Sequence, residues 1–227
     1  AQRRMTALRQ IWAIVAKDVA AEIQTREIVH AMFVFAVLAL LIFSIALDLR
    51  GATARAAAPG VLWSTIAFAG TLGLSRSMSH EQQTGGLDGL RLAPLDRTAI
   101  FFGKALGNLL LMLVVEAVLL PLGAAWLNVS FLRPPVLLVV LLGTVGYAAV
   151  GTLLAAIAVN TRAREVMLPI LLLPLAVPLL LAAVQATGGL LDGLTLAEVN
   201  GWLRILVVYD LVMVAVAVLT FEYVIEA

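Results

Sequence analysis

Two carboxylates sit inside apolar segments. Glu116 lies near the middle of an apolar run from Thr98 to Trp126, and Asp210 lies in the first half of another from Trp202 to Phe221. Centring a carboxylate in a membrane-spanning helix costs about 2.5–3.5 kcal/mol on insertion scales, so such groups turn toward protein or water rather than lipid. Three roles suit a carboxyl there: a proton relay, a substrate contact, or a polar clamp between helices. The structural alternative is a protonated or hydrogen-bonded group, with Asn108, Tyr147 or Tyr209 as partners.

A second chemical feature is the polar stretch from Ser79 to Lys104, set between two apolar runs. Leu87 and Leu90 fall three apart, with Gln82, Gln83, Asp88 and Arg91 around them, as on one turn of a helix. Gly85, Gly86 and Gly89 weaken that turn, each by about 1 kcal/mol relative to alanine. Pro94 stops it, and Asp96 or Thr98 can cap the helix that follows. Lys104 can snorkel back toward the interface. Two readings stand: an ordinary loop, or the surface through which a soluble partner grips a chain with little soluble mass. It is no phosphate cradle, because Gly103-Lys104 is followed by Ala105 and no G-x-x-x-x-G-K-[ST] run occurs. His30 and His80 stand far apart with no metal-ligand spacing, and no Ser–His–Asp set is readable. No enzyme is read from these residues.

These groups need elements to position them, and composition sets the solvent. Hydrophobic residues make up 63% of the chain and charged residues 13%, with no cysteine; mean hydropathy is +1.06. That is an integral membrane composition without disulfides or thiolate metal sites. The start does not read as a cleavable signal peptide, since Lys17 and Asp18 interrupt the apolar stretch. Six segments are long enough to span, near Ile28–Leu47, Ala58–Met78, Thr98–Trp126, Pro135–Val159, Val166–Thr187 and Trp202–Phe221. In lipid they must be helices. Of the 15 Lys and Arg, four (Arg50, Arg55, Arg133, Arg204) fall on one side and the remaining eleven on the other, which predicts both termini in the cytoplasm.

Ahead of the first span, Leu8, Ile11, Trp12, Val15, Val19 and Ile23 recur at helical spacing, while Asp18, Glu22 and Arg26 step by four. This predicts an amphipathic interfacial helix over 5–27, packed flat on the membrane domain of 28–227. Trp12, Trp63, Trp126 and Trp202 fall near predicted span ends, as in an aromatic belt. Pro169, Pro174 and Pro178 in the fifth span, and Pro121 in the third, permit bends. Gly143, Tyr147, Gly151 and Ala155 step by four with Gly146 beside them, a ridge for close helix packing.

Several stretches together resemble the CcmB family, the permease subunit of the haem-exporter-type ABC complex of cytochrome c maturation. They are Lys17-Asp18 through Arg26-Glu27-Ile28, Ala58-Pro59-Gly60-Val61-Leu62-Trp63, and Leu74-Ser75-Arg76-Ser77. Gly89-Leu90 to Leu92-Ala93-Pro94-Leu95-Asp96-Arg97 follows, then Gly103-Lys104 and Glu116. Further along come Gly151-Thr152-Leu153, Asn160 to Glu165, the prolines, Asp210 and Phe221-Glu222-Tyr223. The resemblance runs colinearly from about Met5. It implies an all-α, six-helix ABC-2 (type V exporter-like) permease of the bacterial inner membrane, itself non-catalytic. Mg-ATP would sit on a separate CcmA-like ATPase, with no cofactor bound here and haem as cargo. Implied partners are CcmC- and CcmD-like subunits, a CcmE-like haem chaperone and a second copy of the chain. ATP hydrolysis then serves haem export or release of the loaded chaperone. The coupling loop maps onto 79–97, with Glu81, Leu87, Asp88, Leu90, Pro94, Asp96 and Arg97 as contacts. Asp88-Gly89 stands where many relatives carry Glu-Gly. Glu116, Asp210, Pro169, Pro174 and Pro178 are the translocation candidates. An ATP-independent proton-linked carrier, a scaffold, and an exporter of lipid or polysaccharide are the alternatives.

Overall fold

The computed structural model describes residues 6–47, 52–86, 89, 93, 95–159, 161 and 164–226. Among them the chain is all-helical, with no strand. An amphipathic helix α1 (Ala7–Thr25) precedes six long helices: α2 (Glu27–Ala46), α3 (Ala52–Gln83), α4 (Arg97–Leu127), α5 (Pro134–Val159), α6 (Arg164–Leu191) and α7 (Asn200–Glu226). Each of the six is long and apolar enough to cross a membrane. The protein is a multi-pass membrane protein.

The helices overrun the predicted spans. At 1.5 Å per residue, the 32 residues of α3 and 31 of α4 give lengths of roughly 48 and 46 Å, against a hydrocarbon core of about 30 Å. Helix α3 starts at Ala52 rather than Ala58, because the alanine-rich run before Pro59 favours helix and Ala54 and Ala58 are buried. One consequence overturns the belt assignment of Trp63. It lies well inside α3, 1% exposed, and donates its indole N–H to Thr187 Oγ1 at 3.0 Å. Trp12, Trp126 and Trp202 remain exposed.

Helices α3 and α5 form the core, each with 72% of its spanning window buried, while α2 and α7 have only 17% and 11% buried. Residues that let helices approach closely sit on α5. A Cβ at Gly143 would overlap the Trp63 ring, one at Gly151 would overlap Leu74, and one at Gly146 would overlap Asp210 and come within 2.9 Å of Leu179. Between them Tyr147 donates to the Ala67 carbonyl at 2.8 Å, with Thr71 Oγ1 2.7 Å from its hydroxyl. Polar groups so matched add specificity to a contact between apolar surfaces. Helix α6 runs through Pro169, Pro174 and Pro178, and in the turn before Pro178 the Leu175 carbonyl accepts from Tyr209 of α7 at 3.0 Å. A neighbouring helix thus serves a backbone group near the proline-interrupted ladder.

The link from α1 to α2 is a single residue. Arg26 adopts a left-handed φ of 55°, ends α1 through its N–H to the Glu22 carbonyl, and starts α2. A left-handed non-glycine residue costs of order 1 kcal/mol and persists only where its surroundings hold it. Glu22 does so by accepting from Val29 N–H at 2.8 Å and Ile28 N–H at 3.4 Å. It thereby satisfies two orphan donors at the start of α2. Glu22→Ala is expected to lower stability by about 1–2 kcal/mol, the range of lost helix caps, and to loosen α1 from α2. Thermal unfolding of the detergent-solubilised protein checks the first effect, and amide exchange over 27–30 the second.

Candidate functional site

The ends of the long helices bring together charges that the sequence leaves in separate segments. Glu81, in the last turn of α3, is buried between two lysines: Lys17 of α1 and Lys104 of α4 each donate to one of its carboxylate oxygens. Lys104 also donates to both Asp18 oxygens, at 2.9 and 3.1 Å, and Lys17 lies 3.2 Å from Asp18. Two cations and two anions close a neutral quartet across three helices. The expectation that Lys104 snorkels is overturned: its side chain is 2% exposed, against 7% for Glu81 and 15% for Asp18. The physical reason is Asp18 and Glu81, two fixed anions within reach, which replace the water that snorkelling would seek.

Lys17 is the outer member of the quartet. Burial opposes its charge, but the hydrogen bond to Glu81 and the charges of Asp18 and Glu81 outweigh that. Its ammonium is held above the ordinary lysine value of 10.5. The stabilisation it brings is therefore complete below that value and is lost only as pH rises through the raised one.

Local sequence explains why α1 and α3 reach these partners. Ile14 of α1 sits in a notch of α4 at Gly103, where a Cβ would come within 2.8 Å of it. Asp18, one turn on, packs over Gly107, where a Cβ would lie 3.3 Å from its carboxylate. At the end of α3, Gly85 takes φ +69°, which turns the chain out of the helix. Gly86 then folds against the Glu81 carboxylate, 2.5 Å from where its Cβ would stand.

The segment between α3 and α4 keeps helix-type hydrogen bonds, from Gly89 N–H to the Gly85 carbonyl at 3.0 Å and from Ala93 N–H to the Gly89 carbonyl at 3.1 Å. At its far end Asp96 caps α4 by accepting from Thr98 N–H at 2.9 Å. The Asp96 N–H itself donates to Gln10 Oε1 of α1 at 3.2 Å. Helix α1 therefore holds both ends of the segment. Of the coupling contacts implied by resemblance, Glu81 is buried inside the chain, Asp96 is exposed and Arg97 half-buried at the start of α4. Leu87, Asp88, Leu90 and Pro94 lie outside the described residues.

Beside the quartet a cavity of about 870 Å³ runs along α3, walled by Phe68, Leu72 and Arg76, with His80 also on its wall and Asn108 and Pro169 contributed by α4 and α6. Among the described residues, no group of three or more His, Asp or Glu side chains could hold a metal ion.

Glu116 and Asp210 are not brought together. Glu116 accepts from Thr144 Oγ1 at 2.7 Å, whereas Asp210 packs against Gly146, and positions two apart point about 200° apart around α5. The partners expected from sequence are engaged elsewhere: Asn108 donates to Thr152 at 2.9 Å, Tyr147 to Ala67 and Tyr209 to Leu175. Thr144 serves Glu116 instead, because it sits on the α5 face turned to α4. Each carboxyl keeps one oxygen, Glu116 Oε2 and Asp210 Oδ1, without a hydrogen-bond partner among the described residues. Sequence reading missed Gln10, Lys17, Asp18 and Thr144 as site residues, and the one signal for the first three was polar residues recurring every four or so on a helix with an apolar face.

The family model described as CcmB protein matches residues 9–226. Among curated relatives named Heme exporter protein B, that of Rhodobacter capsulatus is 34% identical over 149 residues, covering 61% of this chain and 64% of that protein. That of Paracoccus denitrificans is 32% identical, covering 60% and 63%. The match thus spans somewhat less than two thirds of the length of these two relatives. That of Pseudomonas aeruginosa is 26% identical over 85% of this chain and 86% of its own length. With the family model matched from α1 to the end of α7, the chain belongs to the CcmB family.

Proposed function

We propose that this protein is the membrane subunit of a haem-exporter-type ABC transporter serving cytochrome c maturation in the bacterial inner membrane. In this reading a separate ATPase hydrolyses Mg-ATP and drives a conformational cycle here, for haem export or for release of a loaded haem chaperone. Both termini are cytoplasmic, and two copies complete the transporter with CcmC-, CcmD- and CcmE-like partners. One observation carries the coupling role: the polar segment between α3 and α4 is anchored at both ends, by the buried Glu81 quartet and by the Asp96–Gln10 hydrogen bond. A loop that serves only as a connection needs no such anchoring. A surface that transmits force does, because slack at either end would absorb the motion. Family membership and the absence of a P-loop motif support a partner as the source of ATP hydrolysis.

Leu90→Asp tests the reading directly. The expected result is loss of most partner-stimulated ATP hydrolysis, ten-fold or more, with the complex still assembled by gel filtration. Wild-type stimulation in an intact complex would count decisively against a transmission role for the segment.

A second reading rests on the unpartnered oxygens of Glu116 and Asp210. An ATP-independent proton-linked carrier would move substrate in vesicles under a proton gradient without any ATPase, and Glu116→Gln would abolish that flux. Flux that requires ATP and survives Glu116→Gln would remove this alternative.

A further inference from the structure

The cavity beside the quartet changes character along its length. Its inner end is apolar: Phe68 and Leu72 of α3 line it with Phe35 of α2, and the two phenyl groups are 43% and 40% exposed. Its end nearer α1 is polar, lined by Ser75, Arg76, Ser79 and His80 of α3 and by Glu27 at the start of α2. Phe68 and His80 stand roughly 18 Å apart along one helix. An apolar inner end and a charged outer end reproduce the profile of a single lipid leaflet, where charge is tolerated at the headgroups and costly below them. Helices α2 and α6 both pack on α3 and touch each other marginally at most, which leaves this face of α3 only partly covered.

The charges on the wall divide into committed and uncommitted ones. Lys17, Asp18 and Glu81 belong to the neutral quartet, and Glu22 is held by the α2 N–H groups. Arg76 and Glu27 are left, and neither has a hydrogen bond or ion pair among the described residues. The Ser75 and Ser79 hydroxyls and the His80 ring are equally unengaged there. Arg76 and Glu27 also stand at nearly one depth. A Cβ at Gly73 would overlap the Met32 side chain, which fixes the level at which antiparallel α2 and α3 meet. Counted from that contact at 1.5 Å per residue, Arg76 lies about 4.5 Å and Glu27 about 7.5 Å toward the α1 end.

We propose that this cavity holds one resident phospholipid of the ethanolamine class, with its phosphate on Arg76, its ammonium toward Glu27 and an acyl chain against Phe68, Leu72 and Phe35. A guanidinium engages phosphate oxygens through two parallel N–H donors, and the Ser75 and Ser79 hydroxyls supply further ones. Basic pockets between spanning helices are places where lipid head groups bind. The uncommitted anion decides the class. A glycerol head group would leave Glu27 without a cation, and the methylated ammonium of choline has no N–H to donate to it. The lipid is a fixed component rather than cargo, so the proposal stands apart from the transporter reading and neither falls with the other.

The test uses the full chain, released from membranes in mild detergent and exchanged into fresh detergent, with retained lipid read by native mass spectrometry and extraction. Roughly one ethanolamine phospholipid per chain is expected to survive exchange, enriched about five-fold or more over glycerol and choline phospholipids offered in equal amounts. Arg76→Gln should lower its retention about ten-fold. Glu27→Gln should keep a lipid and lose the preference for ethanolamine. Both side chains are exposed, and thermal unfolding of the lipid-free variants checks that each is folded. Leu72→Trp, which narrows the apolar end without touching charge, should lower retention as well. Lipid lost from the unaltered chain as fast as bulk lipid would mean an annular layer only and would overturn the site. Retention unchanged in Arg76→Gln, or no preference among the three head groups, would overturn the headgroup assignment. A haem retained in place of lipid, or a lipid-free dimer with this face covered by a second copy, would overturn the occupant and leave the transporter reading intact.

Discussion

Lys104→Met should destabilise the protein by about 3–5 kcal/mol, the cost of leaving buried charge uncompensated. The lysine is 2% exposed and holds two carboxylates, Asp18 and Glu81, against each other at the junction of α1, α3 and α4. Without it, Lys17 alone faces both anions, and the buried set carries a net negative charge. Methionine matches the shape, so the loss is one of charge balance rather than of packing. That distinction can be measured. In Lys104→Met with Glu81→Gln, the charges that remain are Lys17 and Asp18, already 3.2 Å apart, and the quartet becomes a neutral pair. Recovery of at least half the lost stability is expected, read from thermal unfolding in detergent. A double variant as unstable as the single one would show that the hydrogen bonds, not the charge balance, hold the junction. Partner-stimulated ATP hydrolysis separates stability from transmission, because the double variant keeps the fold but reduces the ion pair tying the α3 end of the segment to α1 to a hydrogen bond with a neutral amide. It should fold and still couple poorly.

The six spans were legible because a run of about 20 apolar residues has few other uses. The amphipathic helix was legible for a similar reason, since Leu8, Trp12, Val19 and Ile23 repeat at helical spacing. Much of the site was not. The quartet joins positions 64, 86 and 23 residues apart in sequence, and no local pattern records which turn of one helix crosses which turn of another. Asp18 and Glu22 step by four as helix neighbours do, yet they face different partners: Asp18 meets Lys104 on α4, and Glu22 meets the α2 backbone. Lys104 misled for the same reason, because snorkelling is the default only where no buried anion is near. Trp63 misled through a boundary error: adding the turns from Ala52 moved it from the end of a helix to its interior. The Glu116 partner failed by one choice among several hydroxyls and amides, since helix rotation alone decides that Thr144 faces α4.

Gly143→Ala is expected to be the most damaging single-methyl change in the core. Its Cβ would overlap the Trp63 ring, and that ring cannot retreat: it is 1% exposed and its N–H is committed to Thr187 on α6. Overpacking of this kind typically costs about 1–3 kcal/mol, and the upper end applies where the obstructing group is rigid. Gly146→Ala meets the end atoms of the Asp210 and Leu179 side chains instead, which give way more readily than a fixed ring, so a smaller loss follows. The order of the two variants tests the packing directly. A compensating change sharpens it, because Trp63→Phe shortens the ring facing Gly143 and should recover part of the loss in Gly143→Ala while being destabilising alone. Additive effects in that pair would mean that the two positions do not meet. Helices α3 and α5 form the core on which the outer helices lean, and α3 also carries Glu81 at its far end. A shift of α3 at Trp63 is therefore expected to reach the Glu81 quartet. Gly143→Ala should lower coupling in the membrane complex even where enough folded protein survives to assay it, whereas Gly146→Ala, which meets α6 and α7 rather than α3, should not.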